Sequence, residues 1–381
     1  MNSSSTTPAV HILLVSAQAA PNLLPALDPS LKPQEAVLLV SHKMKERADA
    51  LESVLRQASV KVSRLSLNDE HNFAALQSAL LDLASARDGQ QIALNVTGGT
   101  KLMALAAQSV AQTAGWPVFY VDVDTDEVIW LGKDTQPKKL ATQLRLPHYL
   151  QGYGFRLEEG IARPSPEPRH EALLKTLVSQ VGSLENPLGQ LNFLAQKAED
   201  SNKLEVALTP EQQDSRSLEA LLRNFEDAGV LTTVGDKIRF TSEADRGFTK
   251  GGWLEYFVYR TLESLHGPLG VRDKAANLVV VDESGVKNEL DVAFLARNRL
   301  FVVECKTARM DSARPGKAND TLFKLSEICR RVGGLGTKGM LASYRPLGDP
   351  EKKLAKALNI ELVVGSELNR LDEKLKCWVQ G

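Results

Sequence analysis

Cysteine is scarce in this 381-residue chain, with three in all, and Cys305, Cys329 and Cys377 share no metal-ligand spacing. An odd, scattered set excludes a disulfide framework and fits reduced thiols. Six isolated histidines offer no zinc cluster. Long hydrophobic runs are missing too. The apolar segment Val10–Val15 is too short for a signal or a membrane span, so the expectation is a cytoplasmic protein with no membrane partner. Excess charge of either sign is also absent: the net charge is −1, which excludes a globally basic nucleic-acid binder and leaves only local basic surfaces. What remains, 43% hydrophobic and 24% charged residues, is ordinary globular composition at a length suited to two or three domains.

The richest stretch is Val286–Lys306. Its pattern predicts two strands joined by a polar turn at Ala296–Arg299, the second strand being Leu300-Phe-Val-Val303 followed by Glu304-Cys-Lys306. Alternation puts Glu304 and Lys306 on one face and Cys305 on the other, with Asp291 on the partner strand. A Glu-x-Lys pair on a solvated strand is usually just a solvated pair. Here the charges interrupt core-like apolar residues, which is costly unless they pair or bind metal. Two converging carboxylates are ready ligands for Mg²⁺ or Mn²⁺. The lysine is placed to orient or deprotonate a water, or to stabilise a pentavalent phosphate. The arrangement Asp291-x12-Glu304-x-Lys306 resembles the PD-(D/E)xK nuclease superfamily, although Asp291 follows Glu-Leu and no proline. That resemblance implies a restriction-endonuclease-like domain and a further acid on a preceding helix, here Glu255 within Gly251–Glu263. Downstream, Lys306–Lys338 holds eight basic residues, Arg309 and Arg314 among them, against Asp311, Asp320 and Glu327. Such a basic face suits a polyanion, against the plainer reading of a solvated helix.

The first third alternates strand and helix, which predicts a mostly parallel, Rossmann-like α/β sheet with ligands bound beyond the strand carboxyl ends. Three polar loops collect there: Ser16-Ala17-Gln18, Ser41-His42-Lys43 and Thr97-Gly98-Gly99-Thr100-Lys101. The last combines two glycines, a helix N-terminus and a lysine, which favours a phosphate-bearing ligand over a bare turn. It has neither Walker nor dinucleotide-fingerprint spacing. Asp122-Val-Asp-Thr-Asp126 imitates a calcium loop, but Glu127 replaces the needed glycine and Lys133 the final glutamate, so a hairpin turn is expected. Pro164, Pro166 and Pro168 mark an extended linker. Helices at His170–Val181, Pro187–Ala198 and Ser217–Ala228 and a hairpin turning at Gly235-Asp236 then predict a winged-helix-like region. The Ser217–Ala228 helix is acidic, with Arg223 its one base, so a linking or dimer-forming role is expected over reading DNA.

The expected domains are therefore 1–150, 151–247 and 248–381. In this order the whole chain resembles the CARF-domain effector nucleases of type III CRISPR immunity. The resemblance implies a CARF domain that binds a cyclic oligoadenylate, usually cyclic tetra-adenylate, across a homodimer. It implies that binding activates a Mn²⁺- or Mg²⁺-dependent nuclease against single-stranded DNA or RNA or nicked DNA. By motif match, Ser16, Ala17, Gln18, Ser41, His42 and Thr97 to Lys101 would meet the messenger. Asp291 and Glu304 would hold metal, with Lys306 and Glu255 completing the catalytic set. Two alternatives stay open: a ligand-regulated transcription factor with a vestigial nuclease fold, and degradation of the messenger by the first domain itself.

Overall fold

The computed structural model describes residues 8–132, 136–308 and 316–381. Lys133 of the calcium-loop comparison, and Arg309, Asp311 and Arg314 of the basic stretch, lie outside them.

The first sheet contains β1 (Val10–Leu14), β2 (Glu35–Ser41), β3 (Lys61–Leu67), β4 (Ile92–Asn95), β5 (Val118–Asp122), β6 (Glu127–Leu131) and β7 (Lys138–Lys139), in the order β3-β2-β1-β4-β5-β6-β7. β1 to β5 run parallel, and β6 and β7 return antiparallel. Every residue of β1 is buried, as expected for a strand covered on both faces. Even His11 is enclosed, and burial pushes its pKa down to about 4. The Asp122–Asp126 segment makes the β5–β6 hairpin turn.

The proline-rich connector is not a free tether. Within it β8 (Arg156–Leu157) pairs with Val280 and Val281 as the edge strand of the last sheet. The middle region packs the helices Pro168–Ser179, Val181–Asp200 and Arg216–Asp227 with a small sheet of β9 (Glu205–Ala207), β10 (Leu231–Val234) and β11 (Lys237–Phe240). The long helix begins before Pro187 because Val181, Leu184, Leu188 and Leu191 bury on one stripe; that packing tolerates a proline early in the helix.

The last sheet orders β12 (Val271–Val281), β13 (Lys287–Ala296), β14 (Arg299–Lys306), β15 (Lys338–Ser343) and β16 (Ile360–Val364) as β16-β15-β14-β13-β12-β8. β13 and β14 turn through two residues only, Arg297 and Asn298, whose φ values of 50° and 53° are those of a type I′ hairpin.

The first and last sheets share a hydrophobic cluster, in which Leu13, Ala93 and Phe119 belong with Leu290, Val302 and Leu341. Asn298 fastens the same junction. Its Oδ1 accepts from Leu144 N at 3.0 Å, and its Nδ2 donates to Asp126 Oδ1 at 3.0 Å and to Thr142 O at 3.1 Å. Next to it Arg299 pairs with Asp124. Asn298→Ala leaves buried partners unmatched and puts a β-carbon without a polar anchor in the left-handed region. It is expected to destabilise the protein by about 2 kcal/mol or more. Urea unfolding checks this, and a change under about 0.5 kcal/mol contradicts it.

Candidate active site and ligand crevice

The hairpin delivers the charged residues at its far end. β13 and β14 pair in register up to Val292 opposite Val303, so Asp291 falls beside Glu304. Asp291 Oδ2 accepts a hydrogen bond from the backbone N–H of Cys305 at 2.7 Å, which fixes its rotamer. Lys306 Nζ lies 2.6 Å from Glu304 Oε1 and 3.6 Å from Asp291 Oδ2. The three sequence-derived residues therefore converge. Glu255 sits in the first turn of the Trp253–Ser264 helix, reached through a distorted turn at Phe248–Gly252 in which Gly251 takes φ 157°.

The electrostatics show that these acids crowd one another. Burial pushes the Glu255 carboxyl up to about 7, helped by the charges of Asp291, Glu289 and Glu304 and opposed by Lys306. Asp291 is pushed up to about 6 by burial and Glu304, against the pull of Lys306 and the Cys305 N–H. Burial alone would lower the Lys306 pKa, but Asp291 and Glu304 outweigh it and hold it above the ordinary lysine value. Beside these two carboxylates Lys306 stands as an ammonium, suited to orienting a water or steadying a phosphate. Glu289, two residues before Asp291, joins the cluster; the period-two rule flags it, but its polar surroundings in sequence hid it.

The donor set is carboxylate oxygen, the choice of a hard divalent cation. Excess negative charge around one ammonium also fits a cation. Among the described residues no three His, Cys, Asp or Glu side chains gather into a ready cage. Asp291 and Glu304 thus suit an ion that keeps several waters, as Mg²⁺ does.

A cavity of about 1150 Å³ opens from Glu304 and Lys306 and is walled by the Lys317–Gly333 helix.

The loops of the first sheet meet at a second place. β1 lies between β2 and β4, so the loops after β1 and β4 flank the point where strand order reverses. Ser16 Oγ accepts from Gln18 N at 3.2 Å, closing a tight turn, while Ala17 is exposed. Thr100 caps the Lys101–Ala114 helix, accepting from Met103 N at 3.2 Å, and Lys101 is exposed at its start. Gly98 lies against the carbonyl of Leu14, and Gly99 has φ 72°. Ser41 is buried at the end of β2, and His42 beside it is exposed.

Two residues that the sequence reading passed over hold this crevice. Buried Asn95 donates to Pro21 O at 2.9 Å and to Asn22 Oδ1 at 3.0 Å, and accepts from Thr97 N and Oγ1. Asn22 donates to Leu14 O at 2.9 Å. A lone asparagine ending the apolar run Ile92–Leu94 was the available signal.

Residues 10–149 match the model for the Card1 CARF domain, and residues 242–381 match the model for the Card1-like endonuclease domain. The chain belongs to the CARF-domain effector nucleases. Among solved structures this CARF nuclease is similar over its whole length to protein VC1899 from Vibrio cholerae. That likeness has 27% identity and TM-score 0.85, covering 97% of this chain and 98% of the other. It is also similar to Can2 from Sulfobacillus thermosulfidooxidans, solved in complex with cyclic tetra-adenylate. There the identity is 26% and the TM-score 0.82, covering 98% and 99%. A type III CRISPR defence DNA nuclease activated by cyclic oligoadenylate shares the fold at 21% identity and TM-score 0.55, with 93% of this chain and 48% of that one covered. No curated protein matches. Among the described residues of the CARF nuclease, no helix is long and apolar enough to cross a membrane.

Proposed function

We propose that this chain is an endonuclease of CRISPR antiviral defence, switched on by cyclic tetra-adenylate and dependent on Mn²⁺ or Mg²⁺. Its substrates are single-stranded DNA or RNA, or duplex DNA that it nicks. The observation that carries this reading is the convergence of Asp291, Glu304 and Lys306, the last two of which line the cavity. A bound divalent cation supplies charge neutralisation at the phosphate and a more acidic water. Asp291 and Glu304 are the side chains that hold it. Lys306 orients the attacking water and faces the charge that grows on the phosphate, and Glu255 and Glu289 add negative potential that attracts the cation.

The messenger binds the crevice formed by Ser16–Gln18, Ser41, His42 and Thr97–Lys101. Its phosphates meet the amides of Gly98 and Gly99, the N-terminus of the Lys101–Ala114 helix and the Lys101 ammonium. Binding is shared by two copies. A two-fold ring suits a C2 pair, and Leu105, 62% exposed on the Lys101–Ala114 helix, offers an apolar contact beside the crevice.

Labelled single-stranded DNA and RNA and supercoiled plasmid, incubated with Mn²⁺ with and without cyclic tetra-adenylate, test the reading. Cutting is expected only with the messenger. Lys101→Ala is expected to raise the messenger concentration for half-activation by about tenfold or more, the loss of one charge-assisted contact. Equal cutting without messenger, or an inert wild type, removes the reading.

A further inference from the structure

The Lys317–Gly333 helix buries Ala318, Leu322, Leu325, Cys329 and Val332, a complete apolar stripe at helical spacing. Phe323 lies off that stripe and is 53% exposed, yet it lines the cavity that also holds Glu304 and Lys306. Nothing in the packing of the helix requires an aromatic ring there. Around it on the same wall are Lys317 and Lys324, and among the described residues neither lies in an ion pair with a carboxylate. Two acids share this wall: Asp320, exposed three residues before Phe323, and Glu327, which is bonded by Arg330 at 2.8 Å and 3.0 Å so that its charge towards the cavity is muted.

A ring with an open face, flanked by lysines and sharing a cavity with a carboxylate cluster, is the pattern of a single-strand binding platform. The lysines take backbone phosphates, and the ring takes a base. We infer that Phe323 stacks on an unpaired base of the strand being cut, which makes it a positioning residue that selects single-stranded over fully paired substrate. The inference rests on the nuclease reading above and deepens it. A base inside a duplex is already stacked on both faces and presents none to Phe323. A strand that reaches it must be open or locally frayed, and any of the four bases serves because each has a π-face.

The test reads binding and not cutting, so it stands even if cutting fails. Glu304→Gln protein, alone and combined with Phe323→Ala or Phe323→Trp, is titrated into a thymidine oligonucleotide carrying one 2-aminopurine. Each titration is run with and without cyclic tetra-adenylate, and a matched strand of abasic sites serves as control. Phe323→Ala is expected to weaken binding roughly 10- to 100-fold and to abolish the stacking-dependent fluorescence change. Phe323→Trp is expected to keep both. On the abasic strand the three proteins are expected to bind alike. Unchanged affinity and fluorescence in Phe323→Ala overturn the inference, as does an equal loss on the abasic strand. Sedimentation of the same proteins covers the other role for an exposed ring: a loss of affinity that tracks a loss of dimer also overturns it. Should wild type cut no strand at all, the nuclease reading fails while these titrations still decide what Phe323 does.

Discussion

Glu304→Gln is expected to lower messenger-dependent cutting about a thousandfold while the protein keeps its fold and its messenger affinity. Glutamine matches glutamate in shape, and its amide oxygen can still accept from Lys306. What disappears is the formal charge. Among the described residues Asp291, 3.6 Å away, is then the carboxylate left paired with Lys306, and a single carboxylate beside an ammonium is a poor cation site. Losing the stabilisation of charge developing in the transition state accounts for factors of about 10² to 10³ for a single donor, and loss of the cation adds to that. Stability should change by less than about 1 kcal/mol, because Glu304 is part-exposed and its bond to Lys306 is screened by solvent. Single-turnover cleavage beside thermal melting checks both halves. Cutting within tenfold of wild type would remove Glu304 from the catalytic set, and a large drop in melting temperature would turn the loss of activity into a folding effect.

Gly98→Ala is the second large effect, and it strikes the other site. A methyl group there runs into the carbonyl oxygen of Leu14, well inside contact distance, with Asn22 Nδ2 behind it. That carbonyl cannot retreat freely, because Asn22 holds it at 2.9 Å and Asn95 holds Asn22 at 3.0 Å. Relief must come from moving the end of β1 or the turn before the Lys101–Ala114 helix, and both line the crevice. Overpacking against rigid backbone costs about 3 kcal/mol, at the upper end of the usual range. Messenger affinity is expected to fall by about a hundredfold, because amides displaced by an ångström lose their alignment with the phosphates. Calorimetric titration with cyclic tetra-adenylate and urea unfolding measure the two consequences. Wild-type affinity in a stable Gly98→Ala protein would mean that this turn does not touch the ligand. By contrast Gly160 has open space around it and no left-handed backbone, and serves as a control glycine.

How far the sequence reveals these sites depends on whether the decisive contact is local. Asp291, Glu304 and Lys306 announce themselves because charges interrupt apolar strands, and a hairpin with a two-residue turn fixes which of them meet. Thr97–Lys101 is legible for a similar reason, since a strand, two glycines and a helix start follow one another directly. Asn298 is not legible. It reads as an ordinary turn residue, and its partners lie more than 150 positions away. Phe323 stays hidden until the buried stripe of its helix is known, because only then does the ring prove surplus to the core. The connector is only half legible: its prolines argue for extended chain, but Pro168 opens the Pro168–Ser179 helix, and nothing local shows that Arg156 and Leu157 add an edge strand to the last sheet.

The junction around Asn298 bears on how such proteins can be rebuilt. A sensor joined to an effector by a flexible tether can be exchanged like a plug, because neither part depends on the other for its shape. Here the hairpin that carries the acidic residues is anchored at its turn in the sensing half, and the two halves bury apolar side chains in one cluster. A graft made at the proline-rich connector would expose that cluster and free the turn. A working chimera needs its seam drawn through surface on both sides, so that Thr142, Leu144 and Asp126 travel together with Asn298.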